Sequence, residues 1–521
     1  MNNSLPHPRS PTLIIVANEQ LRVGLFEFYL VNFVCPNRLC ASQSKISSRK
    51  TQGSRCNDPC QFGLTARKLT SETGVGTPVE EASMTRKGFF WLALGSLAAA
   101  TCLASPETRA DEPTKTIKIG VVYDLTGPFA GGGSDLQYLG AKIMIDWFNQ
   151  HGGIDGYRVE PIYAVAQSKP DVAINEAVRL IEQEKVDMLL GFYSSAECVP
   201  AAARVEQFKK FMWITTCIAS PVLEGRDLKY VFRPQPYGRQ WGLTSTAMVD
   251  VYSKVQLDKE PKDLRVAIIH EDGPYGTDVA KGTVEGSKKY GFQIVDDEGY
   301  SSSTPDLSSL ITKLKRAHPD VIFHTGYNPD ITLFLRQARE LGLHFGTLIG
   351  HGAGYGVYSK LKETAGKDVN YFFNVDPISI WQTNSKSLQP DLLPMIKLVG
   401  DAYEKAKPDT IIKSAHVGMA ASNTYLFLTN VLPRAIKKYG GITSDDLRQA
   451  ALDTDLSEGA TMLGFGVKFE PPGEAMAGQN ERAYPVIVQY IDDQSYVVWP
   501  KAQQQREPVL RLPASSPYAQ N

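Results

Sequence analysis

The chain is predicted to be an α/β protein of two doubly wound lobes, each built on a mainly parallel sheet. Two observations predict this. From Thr116 onward, short apolar runs alternate with stretches of helical period, and from Arg265 the same alternation starts again. Strands separated by helices imply right-handed crossovers and sheets covered on both faces. The length of 521 residues also exceeds one ordinary core and leaves room for two or three compact units.

The elements follow in order. Ile117-Lys118-Ile119-Gly120-Val121-Val122 is a buried-strand run, and Leu136, Gly140, Ile143 and Trp147 then recur at helical spacing until Gly152-Gly153 stops the helix. A second strand (159–165), a helix carrying Ile174, Val178 and Ile181, and a third strand (187–191) come next. A helix to Phe208 and a fourth strand, Met212-Trp213-Ile214-Thr215, complete the first series. In the second series, strands are expected at 265–270, 292–295, 320–324 and 347–350. Helices are expected at 275–290 and 307–317, and between the last two strands, where Ile331, Phe334, Leu335, Ala338 and Leu341 form one face.

Composition narrows the class. Hydrophobic residues make up 42% and charged residues 21%, with a formal net charge of -1, so electrostatics give no reason to expect nucleic acid as a partner. The N-terminal region reads differently. Met84-Thr85-Arg86-Lys87 is a basic start, 89–103 is an uncharged apolar run, and small residues lead to Ala110, the order of a secretory signal peptide over 84–110. The run is shorter than the ~20 residues that cross a bilayer. Cleavage fits after either Thr108-Arg109-Ala110 or Cys102-Leu103-Ala104, while Ala99-Ala100-Thr101 makes a poor lipoprotein site at Cys102. Residues 1–83 are then expected to be a non-native or disordered extension. They carry four of the seven cysteines (Cys35, Cys40, Cys56, Cys60), and the rival reading, a metal-binding module, lacks a second well-spaced ligand pair. Cys198 and Cys217 either pair with each other or are small buried residues.

In doubly wound sheets, ligands bind at the carboxyl ends of strands, and two facing lobes turn that position into a cleft. The loops at those ends contain Tyr193-Ser194-Ser195, Cys217-Ile218-Ala219, His270-Glu271-Asp272, Tyr275, Gly326-Tyr327 and His351-Gly352. Hydroxyls and the free N–H groups of helix starts suit a carboxylate, and tyrosines offer flat walls. A search for chemistry returns no phosphate loop, nucleophile elbow or zinc helix. Gly127 to Gly133 lacks the nucleotide-binding order and reads as a lip over the cleft. His270-Glu271-Asp272 are consecutive and point in different directions, so they read as a strand-end cluster. No catalytic residue, metal ligand or cofactor is expected.

The stretch from Thr116 to about Tyr496 resembles the periplasmic leucine/isoleucine/valine-binding family of ABC importers. The matching marks are Leu125-Thr126-Gly127-Pro128, Gly140-Ala141, Asn149 with Gly152-Gly153-Ile154, Phe232-Arg233, Tyr275-Gly276, Asp306-Leu307-Ser308-Ser309-Leu310-Ile311, and Gly326-Tyr327 before Leu335-Arg336-Gln337-Ala338-Arg339. The resemblance implies the type I periplasmic binding fold, with three hinge crossings near Tyr237, Asp376 and Phe469. Lobe 1 would comprise 111–237 plus 377–468 and lobe 2 would comprise 238–376 plus 469–502, leaving 503–521 as a tail that is disordered or draped on the surface. It also implies a periplasmic location, importer membrane subunits as partners, and capture of a small molecule by hinge closure.

By the same resemblance, Ser195 falls where the family's serine holds the ligand carboxylate, Cys217 where a backbone group contributes, and Tyr275 and Tyr327 on the pocket tyrosines. Two positions depart. Ala219 replaces a threonine, and Gly352, beside His351, stands where amino-acid binders carry the glutamate that pairs with the ammonium. A buried ammonium without an anion costs several kcal/mol. No aromatic stands on the lip at Gly131, Gly132 and Gly133. The expected ligand is therefore an aromatic acid, such as a hydroxybenzoate, hydroxycinnamate or phenyl-keto acid, held by Ser195 and nearby amides at its carboxylate, with Tyr193, Tyr275, Tyr327 and Trp241 around its ring. The alternatives are a branched-chain amino acid, an amide or urea, or a sensor role in a signalling system.

Overall fold

In a computed structural model, residues 115–520 are described. The extension 1–83 and the export segment 84–110 lie outside them. The first sheet collects β1 (Lys115–Tyr123), β2 (Tyr157–Val165), β3 (Met188–Gly191), β4 (Phe211–Ile214) and β5 (Val231–Phe232) in the order β2-β1-β3-β4-β5, all parallel. Helices α1 (Ser134–Gln150), α2 (Pro170–Glu182) and α3 (Ser195–Gln207) connect its first four strands. Every residue of β3 and β4 is buried, which explains why they read as unbroken apolar runs without alternation.

The second sheet begins after α4 (Gly238–Leu257). It takes β6 (Arg265–Glu271), α5 (Pro274–Tyr290), β7 (Gln293–Tyr300), α6 (Ser308–Ala317), β8 (Val321–Thr325), α7 (Asn328–Glu340), β9 (Thr347–His351), α8 (Tyr358–Ala365) and β10 (Phe373–Asp376). The chain then returns to the first lobe through α9 (Leu392–Ala406), α10 (Ala415–Leu426) and α11 (Ser444–Leu452). A small antiparallel pair follows, β11 (Asp455–Leu456) with β12 (Val467–Lys468). Finally β13 (Val486–Ile491) and β14 (Gln494–Trp499) add an antiparallel edge, giving β14-β13-β10-β9-β8-β6-β7.

Helix α10 packs on α1 although more than 250 positions separate them in sequence. A Cβ on Gly140 would lie 2.2 Å from the Val417 carbonyl, so the two backbones touch only because Gly140 has no side chain. Trp213 is locked into the same lobe by its indole N–H, which donates to the Asn423 carbonyl at 2.9 Å.

Two expectations are corrected here. The third crossing does not fall at Phe469, because that ring stays in lobe 1, edge-on to Phe232 and Trp213 at 5.2 and 5.6 Å. The segment turns away only beyond Asn480, whose amide donates to the carbonyls of Pro234 and Gly466. The tail is not loose either. Leu510, Leu512 and Tyr518 are buried, the Tyr518 ring stacks on Phe345 at 5.5 Å, and the Phe345 N–H donates to the Tyr518 carbonyl at 2.8 Å. Pro508, Pro513 and Pro517 hold this segment extended without helix, and the three apolar side chains supply the burial that anchors it. Cys198 and Cys217 form a disulfide joining α3 to the loop after β4, with 6.4 Å between their Cα atoms.

Candidate functional site

The site forms where the carboxyl ends of the two sheets face each other. In lobe 1, the turn after β3 is tight: Gly191 and Phe192 both have positive φ, at 120° and 66°. A left-handed conformation is costly for a phenylalanine, and it is held by the Phe192 N–H donating to Val122 and its carbonyl accepting from Cys217. The turn delivers Tyr193 to the cleft and starts α3. Ser194 is the N-cap but its side chain caps nothing, so the first-turn N–H groups of α3 have no side-chain acceptor. Beside them the Ser195 hydroxyl accepts from the Ala219 N–H at 3.2 Å, which leaves its own O–H free to donate.

Lobe 2 supplies Tyr275 from the start of α5 and Tyr327 from the turn before α7. The Tyr327 hydroxyl donates to the Ser194 Oγ at 3.4 Å, a hydrogen bond from one lobe to the other. The Tyr193 hydroxyl donates to the Gly132 carbonyl at 3.0 Å, and the Tyr275 hydroxyl to the His351 carbonyl. Burial pushes all three phenols well above their ordinary range, so they remain neutral. Their rings cluster, with Tyr327 at 5.2 Å from Tyr275 and 6.0 Å from Tyr193, and Trp241 stands edge-on to Tyr275 at 6.4 Å.

These side chains line a cavity with about 330 Å³ of space free of protein atoms. That figure includes space open to solvent; the volume to set against the ~300–1,000 Å³ usual for small-molecule sites is about 30 Å³, so the lobes must part to admit a ligand. Of the residues singled out from sequence, Tyr193, Ser195, Cys217, Tyr275 and Tyr327 line it, as does Trp241. Ser194, Ala219, His351 and Gly352 do not. Ser194 and Ala219 act one step back, as acceptor for Tyr327 and donor to Ser195. His351 is fully buried between Thr325 and Ser245, and burial pushes its imidazole down to about 3, so it is a neutral structural group. Gly352 has φ 44°, and a Cβ there would come within 2.1 Å of the Trp241 ring. A larger residue would displace the indole, which accounts for glycine at this position.

Thr216, Ile218 and Ala353, in the strand-end loops that the sequence places at the cleft, also line it, and Asp376, His416 and Met419, which sequence reasoning missed as lining residues, complete it. The most consequential are Asp376, ending β10, and His416, in the first turn of α10. Both are buried, with His416 Nε2 at 3.5 Å from Asp376 Oδ2. Asp376 ends a strand, so the rule that located the other loops would have found it had residues 373–376 been read as one. The absence of a glutamate at Gly352 therefore does not leave the pocket without a carboxylate. The lip is corrected as well: Phe129, just before the glycines, stacks on Tyr327 at 4.1 Å. Among the described residues no cluster of His, Cys, Asp and Glu could hold a metal ion, and no helix is long and apolar enough to cross a membrane.

A family model described as periplasmic binding protein matches residues 116–484. The chain is 31% identical over 397 residues to Leu/Ile/Val-binding protein homolog 7 of Brucella suis biovar 1, covering 76% of this chain and 94% of that protein. Two solved structures share the fold. A branched-chain amino acid transporter substrate binding protein from Streptococcus pneumoniae, in complex with isoleucine, matches with TM-score 0.59 and 19% identity over 74% of this chain and 100% of that one. A solute binding protein of an ABC transporter from Rhodopseudomonas palustris BisB5, in complex with 3,4-dihydroxy benzoic acid, matches with TM-score 0.58 and 20% identity over 73% and 95%. With the model spanning both lobes and the relative spanning nearly its whole length, the chain belongs to the periplasmic binding protein family, in its Leu/Ile/Val-binding branch.

Proposed function

We propose that this solute-binding protein of the ABC-importer family is exported through residues 84–110 and captures a small aromatic carboxylate between its lobes. Closure over the ligand would create the form that importer membrane subunits accept. The observation that carries this reading is the character of the pocket: three tyrosines and Trp241 line it together with Ser195, at the uncapped start of α3. A carboxylate there accepts from the Ser195 O–H and from first-turn N–H groups, in the positive field of the helix terminus. The rings then bury a flat ligand body. One protein sharing the fold is described in complex with a dihydroxybenzoic acid, which agrees with this reading.

Asp376 favours a second reading, an amino acid whose ammonium faces that carboxylate. A thermal-shift panel of benzoates, cinnamates and phenyl-keto acids alongside leucine, isoleucine and valine separates the two. Stabilisation by one or more aromatic acids and not by leucine is expected. Stabilisation by the aliphatic amino acids alone would overturn the aromatic assignment.

A further inference from the structure

Three polar atoms in the lining residues have no partner within the protein although they are buried: Asp376 Oδ1, His416 Nδ1 and Trp241 Nε1. Orphaned polar atoms cost stability unless something meets them, so each marks a place where a ligand or water atom belongs. Asp376 also forms the partition between this pocket and a second cavity, lined by Asn374 and Gly356. On that far side its Oδ2 accepts from the Asn374 amide at 3.0 Å and faces His416 Nε2. Gly356 lets the pair sit there, since a Cβ would lie 2.7 Å from Oδ2 and 2.8 Å from Nε2. With Oδ2 held, Oδ1 is the free acceptor. His416 Nδ1 lies beside the glycine lip, where a Cβ on Gly133 would approach both it and the Tyr193 hydroxyl oxygen.

We propose that Asp376 and His416 form a second recognition pole that reads a hydroxyl group on the ligand. The inference rests on the aromatic-carboxylate reading and extends it from a class to hydroxylated members of that class. The inventory of free atoms selects a hydroxyl. A hydroxyl brings one donor and can also accept, which matches one free carboxylate oxygen with the Trp241 N–H or an imidazole nitrogen nearby. An ammonium brings three donors and no acceptor. It could accept nothing from the Trp241 N–H, which would stay unmet. Ser195 and the start of α3 come from lobe 1, whereas Asp376 ends a strand of lobe 2, so a ligand bridging both would also join the lobes.

The test is a set of matched titrations of the full chain, by calorimetry or tryptophan fluorescence: benzoate against 4-hydroxybenzoate and 3,4-dihydroxybenzoate, and cinnamate against 4-hydroxycinnamate. The hydroxylated member is expected to bind at least tenfold tighter in at least one pair. In Asp376→Asn that advantage should shrink to threefold or less, with a cooperative thermal unfolding transition showing that the variant is folded. His416→Gln provides the same readout should Asp376→Asn fail to fold. If plain and hydroxylated acids bind equally well, or if the advantage survives in both variants, the second pole is wrong and the aromatic-carboxylate reading stands. If no aromatic acid binds and leucine binds but loses affinity in Asp376→Asn, the pole is an ammonium site, and both readings fail. Absence of binding by every member of the panel counts against both as well.

Discussion

Ser195 illustrates how much one hydroxyl decides. It accepts from the Ala219 N–H and keeps a proton to donate at the start of α3. Ser195→Ala should weaken ligand binding about 10- to 100-fold, the equivalent of ~1.5–3 kcal/mol for a hydrogen bond to a charged group, measured by titration. Glu197, two residues on, is buried with both oxygens unpartnered, next to the equally buried Asp124. Burial, reinforced by the Asp124 carboxyl, raises the Glu197 carboxyl far above its ordinary 4.5, so it stays protonated in the folded protein at neutral pH. The unfolded chain releases that proton above pH 4.5, so stability falls as pH rises from there into the alkaline range. Glu197→Gln removes the titration. Its melting temperature should exceed that of the wild type at pH 8 by more than at pH 5, and an equal change at both would refute the assignment. Tyr193, Ser195, Tyr275 and Tyr327 were legible because each follows a recognisable strand. Asp376 was not, because the short strand it ends was not read, nor was His416, because it opens a helix that only folding brings to the cleft.

Helix contacts between distant parts of the chain give lobe 1 its shape. Gly140 lets α1 meet α10 backbone to backbone, and a methyl group would intrude on the Val417 carbonyl. Gly140→Ala should cost ~1–3 kcal/mol of unfolding free energy by overpacking, read from the urea midpoint. Helix α1 was readable from its apolar period and the Gly152-Gly153 stop, and α2 from the spacing of Ile174, Val178 and Ile181. The tail was misread for the opposite reason. Proline-rich sequence without periodicity says nothing of a destination, yet Leu510, Leu512 and Tyr518 find one in lobe 2. Truncation after Gln505 should remove on the order of 5 kcal/mol, counting ~1.5–3 kcal/mol for each buried side chain, and lower the melting temperature accordingly.

At the scale of the whole molecule, the lobes meet through a few polar contacts beside an apolar pocket. Asp278 of α5 accepts from the N–H and O–H of Ser220 in lobe 1, at 2.9 and 2.8 Å, and from the Arg239 N–H at 3.0 Å. Asp278→Ala removes the acceptor that ties Ser220 to α5. The ligand-free protein should then show a larger radius of gyration by small-angle scattering, and ligand affinity should fall; unchanged scattering and affinity would mean that Asp278 does not hold the lobes together. Sequence by itself determined the two α/β series, the loops at the strand ends and the tyrosine-rich character of the cleft, because these follow from local periodicity and from the rule that loops after strands face the ligand. Only the tertiary structure decided that Phe129 forms the lip, that Gly352 makes room for Trp241, and that Asp376 and His416 close the pocket. Those facts depend on which backbones approach each other across the cleft, and no local pattern of residues encodes such distances.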